Sequence, residues 1–195
     1  MTKDALRAAG QEAIMPGVYS SEADNALPVK HLGAYRSYGQ HKAMGGDSSN
    51  YDQFSKRILD FKEGQAVAIN HFTALILPLL AGDFAVCVVP SHDPQKKAGP
   101  LYTLAARLCN GQGRIDLAGT LVRHTKIPKL ATGGDRGKDV HLKSVKVADM
   151  KAIARKRILL LDDVVTTGGS LQACTELLTA AVASRVWCLA LGRTA

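Results

Sequence analysis

The spacing of apolar positions changes period along this chain, and each change marks an element. Phe84–Val89 (FAVCVV) is an unbroken apolar run rich in β-branched residues, and it predicts a strand covered on both faces. Ile158–Leu161, Arg185–Leu191 and Leu117–Val122 predict three more strands, and the looser alternation of His31–Tyr38 a short one. Between them the period is helical. Phe54, Ile58 and Phe61 fall three and four apart within Tyr51–Lys62 and predict one helix face. A second helix is predicted over Ile69–Leu80, with Pro78 near its end. Pro100–Gly111 has proline at the first helical position, glycine past the end, and Leu101, Leu104, Ala105 and Leu108 on one stripe. Ser170–Ala183 predicts the last helix. Gly39–Asn50, Pro90–Gly99 and Thr125–Val140 are polar and rich in glycine, proline or charge, and predict loops. Residues 1–30 have little periodicity and predict a peripheral arm. Strands alternating with helices give an α/β fold with a mostly parallel central sheet flanked by helices. At 195 residues the whole chain is expected to be one domain. In such sheets ligands bind where the strands end, so the loops after Phe84–Val89 and Ile158–Leu161 are the places to look.

Composition narrows the classes. No apolar run reaches membrane-span length; the longest, Phe72–Leu80, is interrupted by Pro78. The start of the chain has no basic stretch followed by an apolar block, so the expected compartment is the cytoplasm. Cys87, Cys109, Cys174 and Cys188 are scattered in apolar surroundings, which predicts buried reduced thiols and no zinc site or disulfide. The net charge of +8 has a location: Arg123–Arg157 holds eleven Lys or Arg and three Asp, leaving fourteen charges of each sign elsewhere. Such a segment suits a solvated face, a nucleic-acid surface or a small polyanion. It contains none of the aromatic residues on which nucleic-acid bases stack. Composition leaves nucleic acid and a phosphate ester level.

The chemistry concentrates in RILLLDDVVTTGGS, Arg157–Ser170. Thr166-Thr167-Gly168-Gly169-Ser170 leads into a helix, whose first turn offers unpaired N–H groups and the positive end of its dipole. That is the physics of a phosphate cradle. It is not the common nucleotide P-loop, because no lysine follows the glycines. An ordinary helix N-cap explains the loop equally well. Asp162 and Asp163 shift the balance. Adjacent carboxylates repel and cost desolvation beside a sheet, and a purely structural loop gains little from the second. Acceptors ahead of a phosphate cradle suit vicinal hydroxyls beside a phosphate, as in a ribose 5-phosphate.

Ile158–Ser170 resembles the signature of type I phosphoribosyltransferases: four apolar residues, two acids, two apolar residues, then Thr-Thr-Gly-x-Ser. The run from Thr166 to Thr194 is similar to the ComF-like, competence-associated branch, and a looser similarity extends back to about Phe84. The resemblance implies a type I phosphoribosyltransferase-like fold with a small N-terminal hood. The implied reaction uses 5-phosphoribosyl 1-pyrophosphate (PRPP) and Mg²⁺ to transfer ribose 5-phosphate to a nitrogenous base, a nucleobase-like acceptor. It implies that Asp162 and Asp163 hold the ribose hydroxyls and are the expected Mg²⁺ ligands. Val164, Val165, Thr166, Thr167, Gly168, Gly169 and Ser170 complete the PRPP site. Ser91, His92 and Asp93 fall where the family has its pyrophosphate loop. Residues 123–141 fall where it has a mobile basic cover, with Arg123, Lys126, Lys129, Arg136 and Lys138 as contacts. Of these Arg123, Lys126 and Arg136 are expected to act with the acids in catalysis, and a homodimer is a family expectation.

The chain also departs from that branch. It lacks the cysteine-rich zinc module, and Gln95-Lys96-Lys97-Ala98-Gly99 stands where an Arg-Gly-Phe-Asn element is usual. Lys96 and Lys97 could supply the lost charge. A non-catalytic PRPP- or nucleotide-binding regulator, or an accessory factor in DNA uptake or handling, is the alternative. His92 and His141 are open between a general base and ordinary hydrogen bonding. Tyr35, Tyr38 and Phe61 are open between stacking on a base and packing the core.

Overall fold

The computed structural model describes residues 19–20, 29–127 and 137–195. In chain order its strands are β1 (Tyr19–Ser20), β2 (Val29–His31), β3 (Ala34–Tyr35), β4 (Ala85–Val88), β5 (Ile115–Asp116), β6 (Leu121–Arg123), β7 (Val145–Val147), β8 (Arg157–Val165) and β9 (Arg185–Thr194). Its helices are α1 (Tyr38–Ala43), α2 (Gln53–Lys62), α3 (Ala66–Ile76), α4 (Pro100–Cys109), α5 (Lys138–Leu142), α6 (Met150–Ile153) and α7 (Gly169–Ala180). The main sheet runs β1-β2-β9-β8-β4-β5, with β3 also on β9. Every pairing in it is parallel except β1 with β2. β6 and β7 form a separate antiparallel ribbon.

The unbroken apolar runs have the cause expected of them. Along β4, β8 and β9 alternate residues enter different cores. Val86, Val88, Leu159, Leu161, Leu189 and Leu191 face α2, α3 and α4. Ala85, Cys87, Ile158, Leu160, Cys188 and Ala190 face α7, α6 and the ribbon. Phe61 and Phe72, both fully buried, meet edge to face at 5.5 Å on the first side. Burial of one such ring stabilises by about 2–3 kcal/mol. All four cysteines are free, and burial raises the thiols of Cys87 and Cys188 to about 12 and that of Cys109 to about 11.

Several boundaries differ from the sequence reading. Leu117–Val122 is not one strand. The Asp116 carboxylate accepts the Ala118 N–H at 2.9 Å, and the resulting turn sends β5 to the main sheet and β6 to the ribbon. Gly39–Asn50 is not all loop: Ser37 and Gln40 form a capping box that starts α1. α3 begins earlier than expected, and Pro78 lies in the 3-10 turn Leu77–Leu79 that ends it. The expected arm, residues 1–30, contributes β1 and the start of β2, where buried Val29 pairs with Cys188; the rest of it lies outside the described residues. Among the described residues no helix is long and apolar enough to cross a membrane.

Candidate functional site

The largest difference lies in β8. The strand does not stop at the acids but runs through them to Val165, because β9 continues alongside and pairs Val164 with Gly192 and Val165 with Arg193. Gly192 makes this possible: a Cβ there would lie 2.5 Å from Ile58 Cδ1 and 2.9 Å from Tyr35 Cβ. An extended strand turns successive side chains to opposite faces. Asp162 and Asp163 accordingly meet different neighbours.

Asp162 points to the α7 side and is 8% exposed. Its carboxylate accepts the Asp163 N–H at 2.8 Å and the Ser170 hydroxyl at 3.2 Å. Burial, then repulsion from Asp163, outweighs those bonds and raises it to about 8, which favours the protonated form. Asp163 points to the α2 side. It is half-exposed, accepts the Val164 N–H at 2.6 Å, and lies 3.6 Å from Lys62 Nζ. Lys62 sits 5.1 Å above the ring of Tyr35, whose hydroxyl burial and the Asp163 charge push up. Sequence reasoning missed Lys62, since a lysine closing a helix is the commonest of surface residues.

Beyond the acids, Val165 is buried among the α7-side residues and Val164 packs on the α2-side core, so both anchor the loop. Thr166 and Thr167 are exposed, and their hydroxyls bond no group among the described residues. Gly168 then takes a left-handed conformation (φ 80°), which favours glycine, and opens α7 without a side-chain cap. The uncapped N–H groups beyond it and the exposed threonines make an anion-accepting corner. Ser170 is the exception, its hydroxyl being engaged by Asp162.

Ser91-His92-Asp93 follows β4, the strand beside β8, and opens on the same edge of the sheet. It is a self-bonded turn: Ser91 Oγ accepts the Asp93 N–H, and Asp93 Oδ1 accepts the Gln95 N–H at 3.0 Å. That bond, with the charges of Lys126, His92 and Lys96, lowers Asp93 from its ordinary range. His92 lies 3.5 Å from Ser91 Oγ, and its carbonyl accepts the Ile127 N–H at 3.2 Å.

The basic segment is not as expected. Arg123 is in β6 and only 3% exposed. Its guanidinium donates to the carbonyls of Ser91 and Pro90, to Ser144 Oγ at 2.6 Å, and to His141 Nδ1 at 3.2 Å. It braces the turn from beneath, and His141 is buried with it. Lys138 begins α5 and pairs at 2.7 Å with Glu176 on α7. Lys126 is exposed; Lys129 and Arg136 lie outside the described residues. Tyr35 and Phe61 are core residues, while Tyr38 stands edge-on to Tyr51 at 5.2 Å.

The two carboxylates turn to opposite sides of β8, Asp162 to Ser170 and Asp163 to Lys62, and so do not converge on one point in this arrangement. Among the described residues no group of three or more His, Cys, Asp or Glu could hold a metal ion. Asp163 alone fits an ion that keeps its waters and substrate phosphates.

No family model and no curated protein matches the chain. Among solved structures, a hypoxanthine phosphoribosyltransferase from Staphylococcus aureus is similar over 72% of this chain and 68% of that one, at 17% identity and a TM-score of 0.38. A likeness of that depth leaves the reading of the site to the residues themselves.

Proposed function

We propose that this chain is a type I phosphoribosyltransferase of the ComF-like branch, which binds PRPP and transfers ribose 5-phosphate to a nitrogenous base with release of pyrophosphate. The observation that carries this reading is the placement of the Asp162–Ser170 run. It lies at the end of a central parallel strand, with left-handed Gly168 opening an uncapped helix directly beyond the acids. The 5-phosphate would rest on Thr166, Thr167 and the first N–H groups of α7. Asp163 would accept the ribose hydroxyls, and Asp162 would join it by releasing Ser170.

Ribose transfer needs little covalent chemistry from the protein. Its tasks are to position C1, to stabilise charge on the departing pyrophosphate and to exclude water. Lys126, Lys129 and Arg136 are the cations for that charge; Arg123 instead positions Ser91–Asp93. Mg²⁺ would be held by the phosphates of PRPP, water and Asp163, and would supply further neutralisation of the leaving group. The working unit would be a cytoplasmic homodimer of one-domain chains.

The test is calorimetry with PRPP, together with pyrophosphate release across a set of nucleobases. Binding and release are both expected, and both vanish in the folded Asp162→Asn, Asp163→Asn double variant. Absence of PRPP binding removes this reading. PRPP binding without release for any base favours the second one, a PRPP- or nucleotide-binding regulator or DNA-handling factor. The burial of Arg123 and the Gln95–Gly99 sequence speak for that alternative. DNA affinity that falls steeply with salt and is lost on neutralising Lys126, Lys129 and Lys138 would identify its DNA-handling form.

A further inference from the structure

A cavity of about 270 Å³ lies behind the Ser91–Lys97 loop, between it, α4 and the link from β5 to β6. None of its lining residues belongs to Asp162–Ser170, so it is separate from the phosphate corner and shares with the proposed PRPP site only the loop that divides them. Its walls are flat and apolar: Tyr102, Pro94 and Leu121. Arg123, 3% exposed and with its guanidinium bonded to the Pro90 and Ser91 carbonyls, Ser144 and His141, also lines it, and Lys96 and Lys97 are exposed at its rim. Neither lysine lies within ion-pair distance of a carboxylate among the described residues. One acid, Asp93, also lines the cavity, but its Oδ1 already accepts the Gln95 N–H. Two exposed lysines and the buried positive charge of Arg123 outnumber the one carboxylate, and over an apolar floor they favour an anion with a flat apolar body. The volume falls just below the roughly 300–1,000 Å³ of drug-sized pockets, which suits a single ring.

We propose that this cavity is a second ligand site, for a single-ring aromatic anion bearing a phosphate or carboxylate. This goes beyond the PRPP reading and does not depend on it. Lys96 and Lys97 take the charged group, and Tyr102 and Pro94 take the ring. The departure from the Arg-Gly-Phe-Asn pattern at Gln95–Gly99 then has a use: it faces this ligand and not pyrophosphate.

Gly119 supplies a clean block. It lines the cavity, is exposed, and a Cβ built on it meets nothing within 4 Å, so Gly119→Leu adds bulk at the cavity wall without a clash and away from the phosphate corner. Phenyl phosphate is the probe, titrated by calorimetry into the full chain. It is expected to bind with one-to-one stoichiometry, at least about tenfold more tightly than inorganic phosphate. Gly119→Leu and the double variant Lys96→Met, Lys97→Met should each weaken it by about tenfold or more. The lysines are exposed, so that variant keeps the test open should the glycine variant fold poorly. PRPP should still bind with phenyl phosphate saturating, and should bind Gly119→Leu as it binds the parent. Three results overturn the proposal: no phenyl phosphate binding, binding indifferent to Gly119→Leu and to the lysine variant, or mutual exclusion with PRPP. Equal affinity for inorganic phosphate removes the aromatic ligand class. If PRPP itself does not bind, the phenyl phosphate titrations still decide this site.

Discussion

Replacing Asp162 by Asn should stabilise the protein, and more so as the pH rises. The side chain is 8% exposed, and its carboxyl is raised to about 8 by burial and by Asp163. In the unfolded chain the same group titrates near about 3.9. Below that value both states hold the proton and Asp162 costs nothing. As the pH climbs towards the folded value the unfolded state ionises freely while the folded state resists, so stability drains away; above it the cost is complete. At roughly 1.4 kcal/mol for each pH unit between the two, the ceiling is about 6 kcal/mol. Asparagine is isosteric and neutral. Its oxygen can still accept the Asp163 N–H, and its amide can donate to the Ser170 hydroxyl, which reverses role. Urea unfolding of parent and variant at about pH 5 and about pH 8.5 reads the difference directly, and the advantage of Asp162→Asn should grow by about 4 kcal/mol between them. An advantage that stays constant within about 0.5 kcal/mol, or a variant less stable at the higher pH, would refute the burial argument. The same variant should lose PRPP affinity, so that stability and binding move in opposite directions.

Three further outcomes follow from single contacts. Ser170→Ala removes the hydroxyl that donates to ionised Asp162, so it should raise that carboxyl further and cost about 1 kcal/mol more near pH 8.5 than near pH 5, again by urea unfolding. Arg123→Met strips donors from the Ser91 and Pro90 carbonyls and should cost about 3 kcal/mol, with faster native-state trypsin cleavage at Lys96 and Lys97 that Arg123→Lys partly reverses. Gly192→Ala forces a Cβ onto Ile58 Cδ1 and should cost about 1–3 kcal/mol by thermal unfolding. Adding Ile58→Val, which deletes that methyl, should recover part of the loss; full additivity would show that the clash is not there.

The two-sided burial of β4, β8 and β9 was legible because a strand covered on both faces has to be apolar at every position. The turn into α7 was legible because paired glycines between an apolar run and a helical stripe mark a strand-to-helix turn. What the sequence hid depends on partners far along the chain. Asp162 and Asp163 look alike in a string of letters, yet the extension of β9 decides that β8 continues and sends them to opposite sides. Arg123 carries the charge of a surface residue, but carbonyls more than thirty positions away bury it. Lys62 gains its place from the packing of α2 on the sheet. The capping box of α1 was written in Ser37 and Gln40, and was obscured by the glycine between them and by the lack of an apolar stripe.

The buried thiols have a practical consequence. Cys87, Cys174 and Cys188 belong to three different elements that share one core, on the α7 side of the sheet, while Cys109 sits half-buried on α4 on the other. Burial raises every one of them, and the thiolate is the reactive form. A thiol reagent therefore meets an almost silent native protein and labels each cysteine only when its own layer opens. Without any engineering, the chain carries separate clocks for the loosening of its two halves.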